Sequence, residues 1–135
     1  MAELKLHIAG KPVPYVRMTQ RGKFVDPAAK RYLASKEAIA LQLRSQMRGR
    51  EPFGREPLVV ALWFHYVDGA DHRRDLDNEI KAVLDAANGI VYEDDRWIDV
   101  VQAMRAEPGD QDEVLMVVDT LGAMVGEVAE APASA

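Results

Sequence analysis

The run PLVVALWFHYV at residues 57–67 constrains the fold of this 135-residue chain more than any other stretch. It is almost continuously apolar and rich in β-branched and aromatic side chains. Such a run is typical of a central strand that is covered on both faces, because a half-exposed strand alternates with polar residues. We therefore predict a sheet that contains this strand in its interior.

The segments before this run predict a strand and a helix. Residues 3–9 alternate between apolar and polar side chains, as a half-buried strand does. A long basic loop follows, and Asp26-Pro27 is then a typical helix start, an N-cap with proline at the first helical position. Helical spacing of apolar residues continues from there to Gly49, which marks the predicted end of the first helix.

The segments after the run complete an α+β pattern. A second helix is predicted over about residues 76–88, because its apolar residues fall on one stripe and Gly89 ends it. Three strands are predicted to follow, at IVY, WIDVVQAMRAE and DEVLMVVDTL, the last two as a hairpin across Pro108-Gly109-Asp110. The fold predicted is a single mixed β-sheet with two main helices in the order β-α-β-α-β-β-β. Residues 1–120 form one domain in this scheme, and residues 121–135 a disordered acidic tail.

Composition narrows the class of protein. The chain contains no Cys, which excludes a disulfide framework and thiolate metal sites and favours a cytoplasmic location. We expect neither a signal peptide nor a membrane span, because no window approaches the roughly 18 apolar residues of a spanning helix. Residues 1–50 carry 11 Lys and Arg against three acids, whereas residues 51–135 carry six against 19. The charge distribution alone supports two interpretations equally, a phosphate-binding surface and an ordinary solvated surface.

The segment RRDLDNEIKAVLDAANGIVYEDD, residues 73–95, carries seven carboxylates. Capping and the helix dipole account for Asp75 and Asp77 at the start of the second helix. They do not account for Asp94 and Asp95. A helix of about 12 residues is roughly 18 Å long, and six extended residues span roughly 20 Å. The return IVYEDD can therefore bring Asp94 or Asp95 beside the first pair.

Three clustered carboxylates either have raised pKa values or hold a cation among them, because two unit charges about 4 Å apart repel by about 4 kcal/mol at an effective dielectric of 20. Oxygen ligands without Cys or paired His favour Mg²⁺ or Mn²⁺. A calcium-binding EF-hand loop is excluded, since Ile80 and Ala86 stand where glycine and an acid are required. A nucleotide-sugar transferase with an Asp-x-Asp pair would need a larger donor-binding domain. No organic cofactor is indicated.

Cations flank these acids. Lys81 follows Asp77 by four residues, which fits either a solvated ion pair or a cation facing a metal-held phosphate. Arg73 and Arg74 precede the helix, where positive charge opposes the helix dipole. We therefore predict that the two arginines bind another anion, such as phosphate.

This segment resembles the signature of RusA-type Holliday junction resolvases. The shared pattern is R-D-x-D-N, a Lys four residues after the second Asp, then L-D-A, a helix-ending Gly and a later Asp-Asp. The strong resemblance covers about residues 73–98, and the early Gly10, Pro12 and Arg17 also fit. It implies a homodimeric α+β endodeoxyribonuclease, dependent on Mg²⁺ or Mn²⁺, that cuts four-way DNA junctions with paired symmetric nicks in recombination and repair.

The resemblance also implies residue roles. The essential metal-binding acids are Asp75, Asp77 and Asp95, with Asp94 as the alternative to Asp95, and Lys81 is the active-site lysine. Lys81 either stabilises charge on the phosphate or positions the water. Asn78 and Asp85 match the pattern without an assigned role. The predicted DNA contacts are Arg73, Arg74, Arg17 and Lys23, although the Arg-Pro-Arg typical of the family's first loop is Arg17-Met18-Thr19 here.

Three other functions remain open from the sequence. The first is a non-enzymatic dimer that binds junctions, which loss of an Asp or of Lys81 would favour, and none is missing. The second is a metal-dependent nuclease for flaps, other branched DNA or RNA, which would have the same active site. The third is a metal-binding scaffold without nucleic acid, against which the basic N-terminal half argues.

Overall fold

The computed structural model describes residues 3–19 and 26–123 of the chain. These residues form four strands, two long helices, one short 3-10 turn and a helical segment at residues 121–123. In chain order the elements are β1 (Leu4–Ala9), α1 (Pro27–Gln46), β2 (Leu58–His65), α2 (Leu76–Ala87), the 3-10 turn (Asp95–Trp97), β3 (Ile98–Arg105) and β4 (Glu113–Thr120). The architecture is α+β with a single mixed sheet, as predicted.

The four strands are arranged in the order β1-β4-β2-β3. β4 runs antiparallel to both β1 and β2, whereas β2 and β3 are parallel. A parallel pair requires a crossover connection, which here contains α2. β2 lies inside the sheet between β4 and β3, so the prediction of a central strand is confirmed.

The predicted hairpin between the last two strands is wrong, because β2 lies between β3 and β4. After β3 the chain passes the end of β2, where the Ala106 N–H donates to the Phe64 carbonyl at 2.9 Å. Burial explains why β4 takes the inner position. One face of β4 is fully buried, and its residues are Val114, Met116 and Val118. Such a face needs a neighbouring strand on both sides.

Both helices pack on one face of the sheet and form a continuous core with it. On the opposite face, side chains from β4, β2 and β3 form an apolar row of Leu115, Trp63 and Met104. Leu115 is 37% exposed and Met104 is 51% exposed. On this face of β2 itself Val59 is buried and Ala61, Trp63 and His65 are half-buried, so within the described residues the helix side is fully covered and the other side only partly.

α1 begins where the sequence predicts. Asp26 is its N-cap and accepts a hydrogen bond from the Ala28 N–H at 2.9 Å, with Pro27 at the first helical position. The helix ends at Gln46. Gly49, the predicted stop, has a φ of 80°, which glycine adopts without steric strain.

The short strand predicted over residues 90–92 is not formed. Directly after α2, Gly89 has a φ of 81°. The Val91 N–H donates back to the Ala87 carbonyl at 2.9 Å, so the chain turns at once instead of extending. Tyr92 makes only isolated bridges. A compact turn thus replaces the extended return that the sequence analysis expected beside α2.

Two predictions fall wholly or partly outside the described residues. Lys23 lies outside them, as do residues 124–135 of the predicted disordered tail. Residues 121–123 are helical, and the Leu121 N–H donates to the Pro57 carbonyl at 2.8 Å. Among the helices described, none combines the length and the apolar character needed to cross a membrane.

Candidate active site along helix α2

Asp75 caps the N-terminus of α2. Its Oδ1 accepts a hydrogen bond from the Asp77 backbone N–H at 3.0 Å, which satisfies one of the open donors of the first turn. Its Oδ2 makes only a long contact of 3.5 Å with Asn78 Nδ2. One oxygen of this exposed carboxylate is therefore open to a stronger partner.

Asp77 lies in the first turn of α2, and its side chain is exposed. Within residues 3–19 and 26–123 its carboxylate has no hydrogen-bond or ion-pair partner. The helix dipole favours negative charge at this end. The start of α2 thus presents two neighbouring carboxylates, one engaged in capping and one unengaged.

Asp77, Lys81 and Asp85 follow one another at one-turn intervals, so they share one face of α2. The Lys81 Nζ lies 5.0 Å from the centroid of the Tyr15 ring, within cation–π range. Tyr15 meets Tyr32 edge to face, with centroids 5.4 Å apart and planes at 86°. The Tyr32 hydroxyl donates to Asp85 Oδ2 at 2.9 Å. Two tyrosines therefore connect the lysine with the acid one turn later.

The tyrosine in contact with Asp85 keeps its proton. Burial raises the pKa of the Tyr32 hydroxyl well above its usual range, and the hydrogen bond to Asp85 and its negative charge raise it further. Tyr32 is consequently a fixed donor at neutral pH. One oxygen of Asp85 is occupied by this bond, which ties α2 to α1.

Asp94 and Asp95 reach the site from the 3-10 turn. Asp94 caps this turn and accepts from the Arg96 N–H at 3.0 Å, whereas the Asp95 N–H donates to Asn88 Oδ1 at 2.9 Å. Burial raises the pKa of the Asp95 carboxyl, and the neighbouring Asp94 and the charge of Asp85 raise it further. Asp95 lines a cavity of about 260 Å³ with Tyr15, Lys81, Leu84 and Asp85.

The carboxylates therefore lie in two groups. Asp75 and Asp77 are at the start of α2, whereas Asp95 lies at its C-terminal half, beside Lys81 and Asp85 and bonded to the C-cap Asn88. Within the described residues no three His, Asp or Glu side chains are grouped so that they could hold a metal ion. Asp75 and Asp77 alone still fit Mg²⁺, which commonly uses one or two carboxylates and completes its shell with water and phosphate. The predicted roles of these acids stay predictions.

The two arginines before Asp75 have different environments. Arg73 is 91% exposed and pairs with Asp71 at 3.0 Å, which lowers the pKa of the Asp71 carboxyl to about 2. The Arg74 side chain is only 22% exposed, and its Nε donates to Glu79 Oε1 at 2.5 Å. Arg73 is thus a solvent-exposed cation paired with an acid, whereas Arg74 is engaged inside the protein.

Glu79 is a residue of this region that the sequence analysis did not single out. It is fully buried, although glutamate is rarely buried unless it is paired. The signal was present in the sequence, because Glu79 precedes Ala82 and Val83 by three and four residues on the apolar stripe of α2. An acid within such a stripe indicates a buried partner.

The basic segment before α1 is attached to the same end of α2. The Tyr15 N–H donates to the Asn78 carbonyl at 2.9 Å, and the Val13 N–H donates to Ser35 Oγ at 3.0 Å. Arg17, two residues after Tyr15, is exposed. The segment therefore presents Arg17 near the start of α2.

Acids and a lysine along one helix, with exposed arginines beside them, define a candidate phosphodiesterase site. A family profile described as "Endodeoxyribonuclease RusA" matches residues 6–115, which contain every side chain of this site. The match covers most of the chain, so the chain belongs to the RusA endodeoxyribonuclease family, and the resemblance in the sequence is confirmed. No individual curated protein matches the chain at a significant level.

Proposed function

We propose that this chain is a divalent-metal-dependent endodeoxyribonuclease that resolves four-way DNA junctions by paired symmetric nicks in recombination and repair. The proposal rests on one observation: in this member of the RusA family, Asp75 and Asp77 lie at the start of α2 and Lys81 follows Asp77 by one turn. The family match over residues 6–115 also supports one domain over residues 1–120.

Asp75 and Asp77 would hold the metal, with Asp95 as a third ligand and Asp94 as its alternative. Their oxygen donors suit Mg²⁺, and Mn²⁺ accepts the same ligands. When bound, the cation would polarise the scissile phosphate and lower the pKa of the attacking water. The short turn that carries Asp95 is the part of the site that would adjust to bring the third carboxylate closer.

Lys81 is proposed to stabilise negative charge on the phosphate or to position the water. It is exposed, and its ammonium lies against the Tyr15 ring at the 260 Å³ cavity. Among the described residues it forms no ion pair with Asp77 or Asp85, so its charge remains available to an incoming anion. A cation fixed beside the reacting phosphate stabilises the charge that develops in the transition state.

The DNA surface is proposed to include Arg73 and Arg17 beside the start of α2, and Lys23 from the same basic segment. Exposed basic side chains of α1 extend this surface, at Lys30, Arg31, Arg44 and Arg48. Arg74 is also proposed as part of this surface; its side chain is 22% exposed and its guanidinium pairs with Glu79. Contacts of this type bind phosphates without reading bases, which suits recognition of DNA structure rather than sequence.

Paired nicks require two active sites, and we propose that a homodimer supplies them. The sheet face opposite the helices supports this, since its apolar row borders a groove of about 540 Å³. Four strands of about eight residues, roughly 4.8 Å apart, present roughly 500 Å². Two such faces would bury about 1,000 Å², which is near the lower limit for a specific interface.

The test is cleavage of an end-labelled synthetic four-way junction, beside linear duplex and a flap, with Mg²⁺, Mn²⁺ or EDTA. We expect paired symmetric nicks in the junction that disappear with EDTA and in Asp77→Asn. Preferential cleavage of the flap, or of RNA, would support the proposed active site but reject the four-way junction as its substrate. Binding without nicks under every metal would indicate a non-enzymatic junction-binding protein instead.

A further inference from the structure

Lys81 lies between two acids on one face of α2. Asp77 precedes it by four residues and Asp85 follows it by four. At this spacing, oppositely charged side chains on a helix normally form ion pairs, which stabilise the helix slightly. Within residues 3–19 and 26–123, however, Lys81 pairs with neither acid. Contacts with other parts of the chain therefore decide where its ammonium lies.

The aromatic ring of Tyr15 takes the place of an ion-pair partner. The Lys81 Nζ lies 5.0 Å from the centroid of this ring. A ring attracts an ammonium through its quadrupole but carries no net charge, so it holds the cation without neutralising it. The ring is itself attached to α2, because the Tyr15 N–H donates to the Asn78 carbonyl at 2.9 Å. Tyr15 therefore fixes the position of the ammonium and leaves its charge available.

Tyr32 of α1 engages the acid that follows Lys81. Its side chain is buried, and its hydroxyl donates to Asp85 Oδ2 at 2.9 Å. Its ring also meets the Tyr15 ring edge to face, with centroids 5.4 Å apart, an arrangement that stabilises aromatic pairs. One tyrosine thus supports the ring that contacts Lys81 and binds the carboxylate of Asp85 to α1.

The same side chains line one cavity of the candidate site. Tyr15, Lys81, Asp85 and Asp95 border this cavity of about 260 Å³. If Lys81 paired with Asp85 there, an incoming phosphate would have to displace the carboxylate. A cation that is already in position needs no such rearrangement during the reaction, which is the condition for strong electrostatic stabilisation of a transition state. The contacts of both tyrosines thus favour a charge that is ready for an anion.

We propose that Tyr15 and Tyr32 are positioning residues for Lys81: Tyr15 holds its ammonium at the cavity, and Tyr32 keeps Asp85 from pairing with it. This inference rests on the proposed function and deepens it, since it assigns roles to two side chains that the sequence analysis did not single out. Neither tyrosine is required to touch the reacting phosphate.

The position of the ammonium is tested first, by NMR of the protein without metal or DNA. The ring current of Tyr15 should shift the Lys81 εCH₂ protons upfield in the wild type. Tyr15→Phe keeps the ring and should keep this shift, whereas Tyr15→Leu removes the ring and should abolish it. Urea unfolding of each variant establishes that it is folded under the conditions of the assay.

The same two variants test the effect on the reaction. For Tyr15→Leu we expect kcat for junction nicking to fall about 2- to 5-fold, the size of an exposed cation–π interaction, whereas Tyr15→Phe should stay near the wild type. Affinity for the junction in EDTA should change little, because every variant retains the charge of Lys81. A loss of stability alone would not lower kcat of the fully folded protein.

The role of Tyr32 is tested by a double-mutant cycle with Asp85. Tyr32→Phe removes only the hydroxyl and frees Asp85 to pair with Lys81, so kcat should fall about 2-fold, the size of an ion pair at this helical spacing. In the Asp85→Asn background there is no carboxylate to pair, and Tyr32→Phe should then leave kcat unchanged. The cycle cancels any separate effect of Asp85→Asn itself.

Wild-type kcat in Tyr15→Leu would overturn the role of Tyr15, and an equal effect of Tyr32→Phe in both backgrounds would overturn the role of Tyr32. If Tyr15→Leu does not fold, the Lys81 εCH₂ shift of the wild type decides the role of Tyr15, because the absence of an upfield shift rejects it.

If the wild type cut no junction, the proposed function would fail on its own. Binding of a thymidine dinucleotide, followed through the Lys81 εCH₂ signal, would then decide the positioning role. Weaker binding by Tyr15→Leu than by Tyr15→Phe supports this role, and equal binding rejects it.

Discussion

The two ends of α2 hold their carboxylates in different ways. At the N-terminal end, the backbone on either side of Asp75 is fixed by the Arg105 side chain and by the first-turn N–H groups. At the other end, Asp95 depends on one hydrogen bond to Asn88 and on the short turn that Asp94 caps. The first end is thus the more preorganised of the two.

The electrostatic environments of the carboxylates at the two ends of α2 also differ. The dipole of α2 favours the charges of Asp75 and Asp77, whereas negative charge near a helix C-terminus is unfavourable. Burial and the nearby Asp94 and Asp85 raise the pKa of the Asp95 carboxyl. The acids at the first end thus support the fold, and Asp95 is held at some cost in stability that a bound cation would relieve.

The largest effect is expected from Asp77→Asn at the preorganised end. Junction nicking should fall by more than about 100-fold, because a direct ligand matters more than its supporting contacts. The free energy of unfolding should change by less than about 1 kcal/mol, since only a helix-dipole contribution is lost. Nicking rates and urea unfolding measure the two quantities. Asp110→Asn, at an exposed acid in the loop after β3, is the control and should leave both unaltered.

Asp75 combines capping with proposed metal binding, and two substitutions separate these roles. Asparagine caps a helix about as well as aspartate does, whereas alanine costs about 1 kcal/mol. Asp75→Asn and Asp75→Ala should therefore lose nicking alike, but only the alanine variant should lose that stability in urea unfolding. Equal stability of the two variants would show that the cap contributes little.

Asp95→Asn should have the opposite effect on stability from Asp75→Ala. Removal of one charge next to Asp94 and Asp85 relieves repulsion, so the free energy of unfolding should rise, by no more than about 1 kcal/mol at this exposed position. Nicking should fall at the same time, as is common when a functional residue is replaced. Thermal or urea unfolding at neutral pH without metal tests the sign, and a loss of stability would contradict the comparison.

The smallest effect concerns Asp71, just before α2. Arg73 lowers the pKa of this carboxyl to about 2, from an ordinary value of 3.8. Because the folded-state pKa is depressed, the stabilisation from the pair is present above about pH 4 and is lost as the pH falls through about 2. An NMR titration of Asp71 should give a midpoint near 2 in the wild type and nearer its ordinary value in Arg73→Ala. A wild-type midpoint near 4 would show that the pair does not form in solution.

Local patterns in the sequence predicted local structure well. The cap at Asp26, the interior position of β2 and the span of α2 follow from residue type and periodicity, which act over a few residues. The neighbour of β4 could not be predicted in this way. Pro108-Gly109-Asp110 predicts that the chain reverses direction. Whether β4 then pairs with β3 or with β2 depends on which strand's side chains must be buried within the whole sheet.

The residues of the candidate site could be named from the sequence, but their arrangement could not. Family resemblance and residue chemistry singled out Asp75, Asp77 and Lys81, but the turn after Gly89 removed the extended return on which the three-carboxylate cluster depended. The different environments of Arg73 and Arg74 were also hidden. They depend on Glu79, whose burial is set by the packing of α2 on the sheet.

We propose that the start of α2 is the metal-binding part of an endonuclease site. The most direct test is anomalous diffraction from crystals soaked in Mn²⁺. We predict an anomalous peak in contact with the carboxylates of Asp75 and Asp77, which disappears in Asp77→Asn. A peak only beside Asp85 and Asp95, or the same peak in Asp77→Asn, would contradict the claim.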